Sequence, residues 1–314
     1  MLSVFPKVKK QGGVLLQGHL VKAKGGFYFV QGSRGEIVCC RARGRLKEFG
    51  IDLLVGDLVE ADPLEKVIEK IYPRKSHLTR PPVANVDQVV ILMSIIKPPL
   101  DLVLLDRILI SAEASFLDII ICLNKMDLST ARDEDLVKEV KEVFQSCGYR
   151  VILTSAVKGH GIDEMRKALQ DKLTVFAGPS GTGKSTLINK LKPELGLISG
   201  AVSRKTERGR HTTRHVELLG LDNEAFVVDT PGFQRLDLKG ISSKELSSFF
   251  PEISLKGPCR FNSCLHNAEP GCAVKDAVQN GEIASWRYEH YIAFLKEVRQ
   301  MEKTYFHKKG EDRK

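Results

Sequence analysis

The chain has 314 residues, 42% hydrophobic and 28% charged, which excludes a disordered, collagen-like or disulfide-dense protein and leaves room for two or three cores. Its longest apolar runs, VVILMSII and FLDIIICL, are too short to cross a bilayer, and MLSVFPKVKK lacks the apolar stretch and cleavage site of a signal peptide, so a cytoplasmic protein with no membrane partner is expected. The net charge of +9 is uneven: residues 1–75 hold 14 Lys and Arg against 8 Asp and Glu, which points to a polyanion, nucleic acid more than membrane, as the partner of that segment.

Residues 1–72 read as short strands, within an expected RNA-binding domain over residues 1–75. GVLLQGHLVKAKGGFYFVQ has the pattern of a hairpin about Gly25-Gly26, and EIVCCRAR, VGDLVEAD and KVIEKIY follow without a long helix between them. About five strands in about 70 residues suit a small OB-type β-barrel, and Phe27, Tyr28 and Phe29 suit either its core or stacking on RNA bases. Pro73, Pro81 and Pro82 in YPRKSHLTRPPVANVD argue for an irregular linker.

Over residues 76–250 strands such as QVVILMSI, LDIIICL, RVILTS and LTVFAG alternate with helical patterns of 10–15 residues. That grammar predicts an α/β fold, a doubly wound sheet with parallel pairing. At the end of LDIIICL stands Asn124-Lys125-Met126-Asp127. A carboxylate facing guanine N1 and N2 accepts two hydrogen bonds that adenine cannot offer, and Asp127 is placed for that task. Lys125 is expected along the base and Asn124 as a tie to neighbouring segments, with Thr154-Ser155-Ala156 after the next strand as a backing to the base.

Gly178, Pro179, Ser180, Gly181, Thr182, Gly183, Lys184 and Ser185, then Thr186, fit the phosphate-binding loop between a strand and a helix. Its amides and helix N-terminus suit phosphate oxygens, Lys184 suits the β- and γ-phosphates, and Ser185 suits Mg²⁺. The polar stretch SRKTERGRHTTRH is expected to be a switch loop in which Thr212 or Thr213 meets Mg²⁺. In AFVVDTPGF, Asp229 is expected near the Mg²⁺ shell and the Gly232 amide near the γ-phosphate. Phe233 stands where a water-orienting glutamine is otherwise found, which predicts slow unassisted hydrolysis, on the order of 10⁻⁴ to 10⁻² s⁻¹. His211 is a candidate for the missing group, and a partner is another.

Over residues 251–314, Cys259, Cys264, His266 and Cys272 crowd into fourteen residues. Three thiolates and an imidazole complete a tetrahedral shell, so one structural Zn²⁺ is expected. Cys39, Cys40, Cys122 and Cys147 are expected to pack as small hydrophobes. GEIASWRYEHYIAFLKEVRQMEK has a helical stripe, and HKKGEDRK reads as a frayed tail.

The guanine reader thus precedes the phosphate loop, the reverse of the ordinary order, as in a circularly permuted GTPase. This order, the basic barrel, RPPVANVDQ, NKMD, TSA, GPSGTGKST, RGRHTTRH, DTPGF and the Cys/His spacing together resemble the bacterial ribosome small subunit-dependent GTPases, the RsgA family. The resemblance implies GTP hydrolysis to GDP stimulated by the small ribosomal subunit, rRNA binding, a role in late maturation of that subunit, structural zinc and a catalytic role for His211 with Lys184, Thr212 and Thr213. A monomer is expected in solution. An RNA-binding scaffold that holds nucleotide with little turnover, and a P-loop ATPase or kinase acting on RNA, stay open on the residues alone.

Overall fold

The computed structural model describes residues 15–44, 52–79, 81–197, 216–222, 224–229, 238 and 240–311. The strands in chain order are β1 (Leu16–Lys24), β2 (Phe27–Gly32), β3 (Ile37–Ala42), β4 (Leu58–Asp62), β5 (Val67–Ile71), β6 (His77–Thr79), β7 (Pro82–Ala84), β8 (Gln88–Ser94), β9 (Asp118–Asn124), β10 (Arg150–Leu153), β11 (Leu173–Ala177), β12 (Glu217–Gly220) and β13 (Phe226–Asp229). The helices are α1 (Leu102–Glu113), α2 (Ala131–Ser146), α3 (Ile162–Leu169), α4 (Lys184–Leu191), α5 (Pro251–Ser254), α6 (Ala273–Gln279) and α7 (Ser285–Glu311). Two compact units result, one drawn from Met1–Gln88, Arg166–Phe176 and Val202–Phe233, the other from Val89–Met165, Ala177–Ala201 and Gln234–Lys314. Among the described residues no helix is long and apolar enough to cross a membrane.

In the first unit β1 pairs antiparallel with both β2 and β4, β2 pairs with β3, β3 runs parallel to β5, and β5 returns to β4, which closes a five-stranded barrel. Gly18 sits where β1 has partners on both sides, Gly32 and Val59. A Cβ there would stand 2.2 Å from the Gln31 carbonyl oxygen, so the strands can approach this closely only at glycine. Leu20, Val30, Cys40, Val59, Ala61 and Ile68 fill the buried interior. Strand alternation turns their neighbours outward: Cys39 is exposed, against the expectation that it packs as a small hydrophobe, and Phe27 and Ile37 are exposed as well.

The barrel does not stand alone in its unit. β11 runs parallel to β13, β13 pairs antiparallel with β12, and β12 meets β1 at Lys22↔Glu217, so one sheet continues from β11 into the barrel. Lys22 donates to the Glu217 carboxylate at 2.8 Å, and the His19 and Phe226 rings lie 5.3 Å apart. The antiparallel β12–β13 pair departs from the expected parallel pairing because so few residues separate the two strands, too few for a crossover. The linker expected to be irregular contains the β6–β7 hairpin, with Pro82 at the first position of β7, where a missing N–H is tolerated.

In the second unit the strand order is β10-β9-β8, with β10 parallel to β9. All seven residues of β8 are buried, as a strand covered on both faces requires. α1 packs against β9 and α2 against β10. α2 starts at a capping box in which Thr130 and Asp133 satisfy each other's backbone ends. Leu246, Phe250, Ile253, Val274, Tyr291, Phe294 and Val298 form one core with Ile110 of α1. The tail expected to fray is helical as far as Glu311.

Candidate nucleotide site and metal centre

β9 delivers Asn124 to its C-terminal end, where Lys125 at φ +66° breaks the strand and turns the chain into a short 3-10 turn, Met126–Leu128. Asn124 is buried at 1% exposure, and its amide is fully used. Its Nδ2 donates to the Thr182 carbonyl at 2.9 Å, while Oδ1 accepts from Thr154 Oγ1 at 2.9 Å and from the Ala156 amide at 3.2 Å. One side chain therefore ties together the guanine pattern, the TSA segment and the phosphate loop, three segments far apart in sequence. Ser155 Oγ donates to Asp127 Oδ1 at 2.5 Å, and the Asp127 side chain is otherwise exposed, free to accept from a ligand with its other oxygen.

The phosphate loop is built to receive that tie. Gly183 has φ +99°, and a Cβ on it would lie 2.5 Å from Asn124 Nδ2, so glycine is required both for the turn and for the approach of the asparagine. Lys125 Nζ bridges the carbonyl of Gly181 and that of Lys97, each at 2.5 Å. Lys97, in the turn after β8, escapes sequence reasoning because it contributes only its backbone oxygen. Thr182 is buried and donates its hydroxyl to the Pro179 carbonyl at 3.0 Å. Ser180 and Gly181 stand exposed at the crest, and Ser185 and Thr186 are half-buried in the first turn of α4.

Lys184 folds its ammonium back onto the loop, 2.8 Å from the Gly178 carbonyl and 2.7 Å from that of Pro179. Burial lowers its pKa from the ordinary lysine value. A desolvated cation held only by carbonyl dipoles gains most from an anion, which is the electrostatic condition of a phosphate site. Asp229 is the last residue of β13. His211, Thr212, Thr213 and Gly232 lie outside the described residues.

Cys259, Cys264, His266 and Cys272 come together as expected, their ligand atoms all within 4.8 Å of one another, and could hold a metal ion. His266 Nδ1 lies 3.5 Å from the sulfurs of both Cys259 and Cys272, which are themselves 3.9 Å apart. A tetrahedron with metal–sulfur bonds of about 2.3 Å and a metal–nitrogen bond of about 2.0 Å has edges of about 3.5–3.8 Å, which the separations among Cys259, His266 and Cys272 match, and Cys264 stands close enough to be the fourth ligand. The loop is braced from α7: Tyr288 donates to the His266 carbonyl at 2.7 Å and Tyr291 to that of Leu265 at 2.9 Å. Glu269 accepts from the amides of Leu265 and Asn267, at 3.1 and 2.9 Å.

A second feature invisible in the sequence is the buried guanidinium of Arg287, which reaches Glu252 and Asp106. It sits inside the stripe of α7 that apolar periodicity assigns to the core, and no neighbouring residue type signals a partner 181 positions away. Cys147 Sγ lies 3.3 Å from the same Glu252 carboxylate, while Cys40 and Cys122 are buried as small hydrophobes.

Comparison with known proteins follows the same lines. A family profile described as RsgA GTPase matches residues 71–239, and one described as RsgA N-terminal domain matches residues 17–67. The small ribosomal subunit biogenesis GTPase RsgA of Moorella thermoacetica is 46% identical over 294 residues, which cover 92% of this chain and 100% of the relative. The protein of the same name from Bacillus pumilus is 41% identical over 297 residues, 92% of this chain and 99% of the relative. Among solved structures, YjeQ from Thermotoga maritima superposes with a TM-score of 0.79 at 36% identity, over 91% of this chain and 99% of that one. YloQ, described as a circularly permuted GTPase, gives 0.79 at 37% identity, over 94% and 98%.

Proposed function

Because the chain belongs to the RsgA GTPase family, we propose that it hydrolyses GTP to GDP and phosphate, binds the small ribosomal subunit and its rRNA, is stimulated by that subunit, and acts in its late maturation. The observation that carries the reading is the hydrogen bond from Asn124 to Thr182, which joins an upstream guanine pattern to a downstream phosphate loop as a permuted GTPase requires. Three functional parts follow: a barrel over residues 1–75 for RNA, a permuted GTPase over 76–250, and a metal-organised helical part over 251–314. A cytoplasmic monomer is the form proposed.

In this reading Asp127 accepts from guanine N1 and N2 while Ser155 holds its second oxygen in place. Lys184 releases the loop carbonyls for the β- and γ-phosphates, and the backbone N–H groups of the Gly178–Thr186 loop other than Pro179, with that of Gly232, surround them. Ser185, Thr212 or Thr213, and Asp229 offer hydroxyl and carboxylate oxygens, the donors that a hard cation takes, and would hold Mg²⁺. The ion held there would supply positive charge against the phosphates. His211 orients the attacking water when the subunit is bound. Cys259, Cys264, His266 and Cys272 would hold a structural Zn²⁺ with no open position.

The test is steady-state GTP hydrolysis at fixed near-physiological salt, with and without small subunits, with large subunits and ATP as controls. A large increase specific to GTP and small subunits is expected, reduced about 100-fold or more in His211→Ala with GTP binding retained. A flat rate with GTP bound would overturn the reading in favour of a scaffold.

A further inference from the structure

A cavity of about 310 Å³ lies beside the cysteine cluster in the C-terminal part of the second unit. Cys259, Cys264 and His266 supply only one wall. The others come from α5, the turn before it and the loop after it, and include Lys244, Ser247, Ser254, Lys256, Phe261 and Asn262. Among these described lining residues there is no Asp or Glu, so hydroxyls, an amide and two ammonium-bearing chains face the space without a carboxylate in its wall. Lys256 also meets Glu282, at 2.6 Å, from outside the lining.

The wall chemistry selects an anion, and its aromatic member selects which kind. Phe261 is 44% exposed and carries the Arg260 guanidinium 5.6 Å from its ring centroid. A partly exposed aromatic ring with a guanidinium over it is an arrangement on which a nucleic-acid base can stack, and it tolerates any base because each has a π-face. A volume near 300 Å³ lies at the small end of ligand pockets, enough for one nucleotide and too small for a folded element.

We propose that this cavity takes one unpaired nucleotide of RNA, its base stacked on Phe261 and its phosphate held by Lys244 and Lys256. The inference rests on the RNA partner of the proposed function and adds a contact site remote from the basic barrel. Phosphate contacts give affinity and register, and the single stacked base adds a requirement for an unpaired position, so the cavity distinguishes a looped-out nucleotide from a continuous duplex.

The experiment uses the full zinc-loaded chain and a single-stranded RNA hexamer carrying 4-thiouridine, cross-linked by near-ultraviolet light and mapped by mass spectrometry. A cross-link at Phe261 or its immediate neighbours is expected. Both F261A and K244Q/K256Q should weaken hexamer binding about 5-fold or more, with one zinc per chain and basal GTP hydrolysis unchanged. Cross-links confined to residues 1–75, with both variants binding as the parent does, would overturn the proposal. Loss of small-subunit binding without any loss of hexamer affinity would overturn it too, by assigning the cavity to a protein. Subunit-stimulated hydrolysis by the parent chain reads the wider function separately: stimulation without a cross-link here sinks this inference alone, and no stimulation sinks the functional reading itself.

Discussion

Arg287 of α7 donates to the Asp106 carboxylate of α1, and both side chains are shut off from solvent, at 1% and 0% exposure. The same guanidinium donates through Nε to Glu252 at 2.5 Å and lies 4.6 Å from the Phe250 ring, while His290 Nδ1 meets the other Asp106 oxygen at 2.6 Å. The segment that carries the cysteine cluster is therefore fastened to α1 by buried charge as well as by apolar contact. Removing the cation strands two carboxylates in a dry environment. We expect Arg287→Met to cost about 3–5 kcal/mol in urea-induced unfolding. A loss below about 1 kcal/mol would mean that water reaches the carboxylates.

Asp127 supports a test of base selection. The substitution Asp127→Asn keeps the size and replaces one acceptor with a donor, so one of two charge-assisted hydrogen bonds to guanine is lost and the other weakened. At about 1.5–3 kcal/mol per bond to a charged group, GTP affinity should fall by at least about 10-fold. Xanthosine triphosphate, which presents an oxygen at position 2, should gain relative to GTP. Equilibrium titration with both nucleotides checks this, and an unchanged preference would remove Asp127 from the base site.

Asn124→Ala should act on binding and stability together. It takes their partner from Thr182 O and the Ala156 amide, in buried positions, and leaves Thr154 Oγ1 only the Cys122 thiol at 3.2 Å. Each stranded group costs about 1–3 kcal/mol. Thermal unfolding should fall by several degrees, and bound GTP should restore less than it does in the parent chain. Equal nucleotide-induced shifts in the two proteins would show that the tie is structural only.

Removal of metal should be local. Chelation, or Cys272→Ser, should abolish zinc binding and expose backbone amides between residues 257 and 272 to hydrogen exchange, since a structural zinc contributes on the order of 10 kcal/mol to the segment that it organises. β8 and β9, whose residues are largely buried, should keep their protection. Loss of protection throughout the chain would instead make the metal a condition of global folding.

Sequence reasoning succeeded where one residue type has a unique job. Gly183, which takes a positive φ against Asn124, and the four ligands between 259 and 272, which come together as their crowding suggested, have few substitutes. It failed where a residue acts through an atom that every residue has, as Lys97 does through its carbonyl, or where a charge is matched by a partner far along the chain, as in Arg287. Strand alternation in the barrel was legible, but not which face Cys39 would occupy, because Cys39 and Cys40 are chemically identical neighbours and only register separates them. The same limit hid the antiparallel turn between β12 and β13, which depends on a connection length rather than on composition.

The pairing of β1 with β12 has a consequence for anyone who would cut the protein into parts. Among the described residues β12 lies between β13 and β1, so β1 meets at Lys22↔Glu217 an edge that would otherwise present N–H and C=O groups there. A fragment beginning at residue 76 would carry the complete set of nucleotide motifs and still be a poor reagent, prone to recruit another chain's strand at the bared edge. The barrel is in this respect part of the sheet that it extends, and the two are better expressed together than apart.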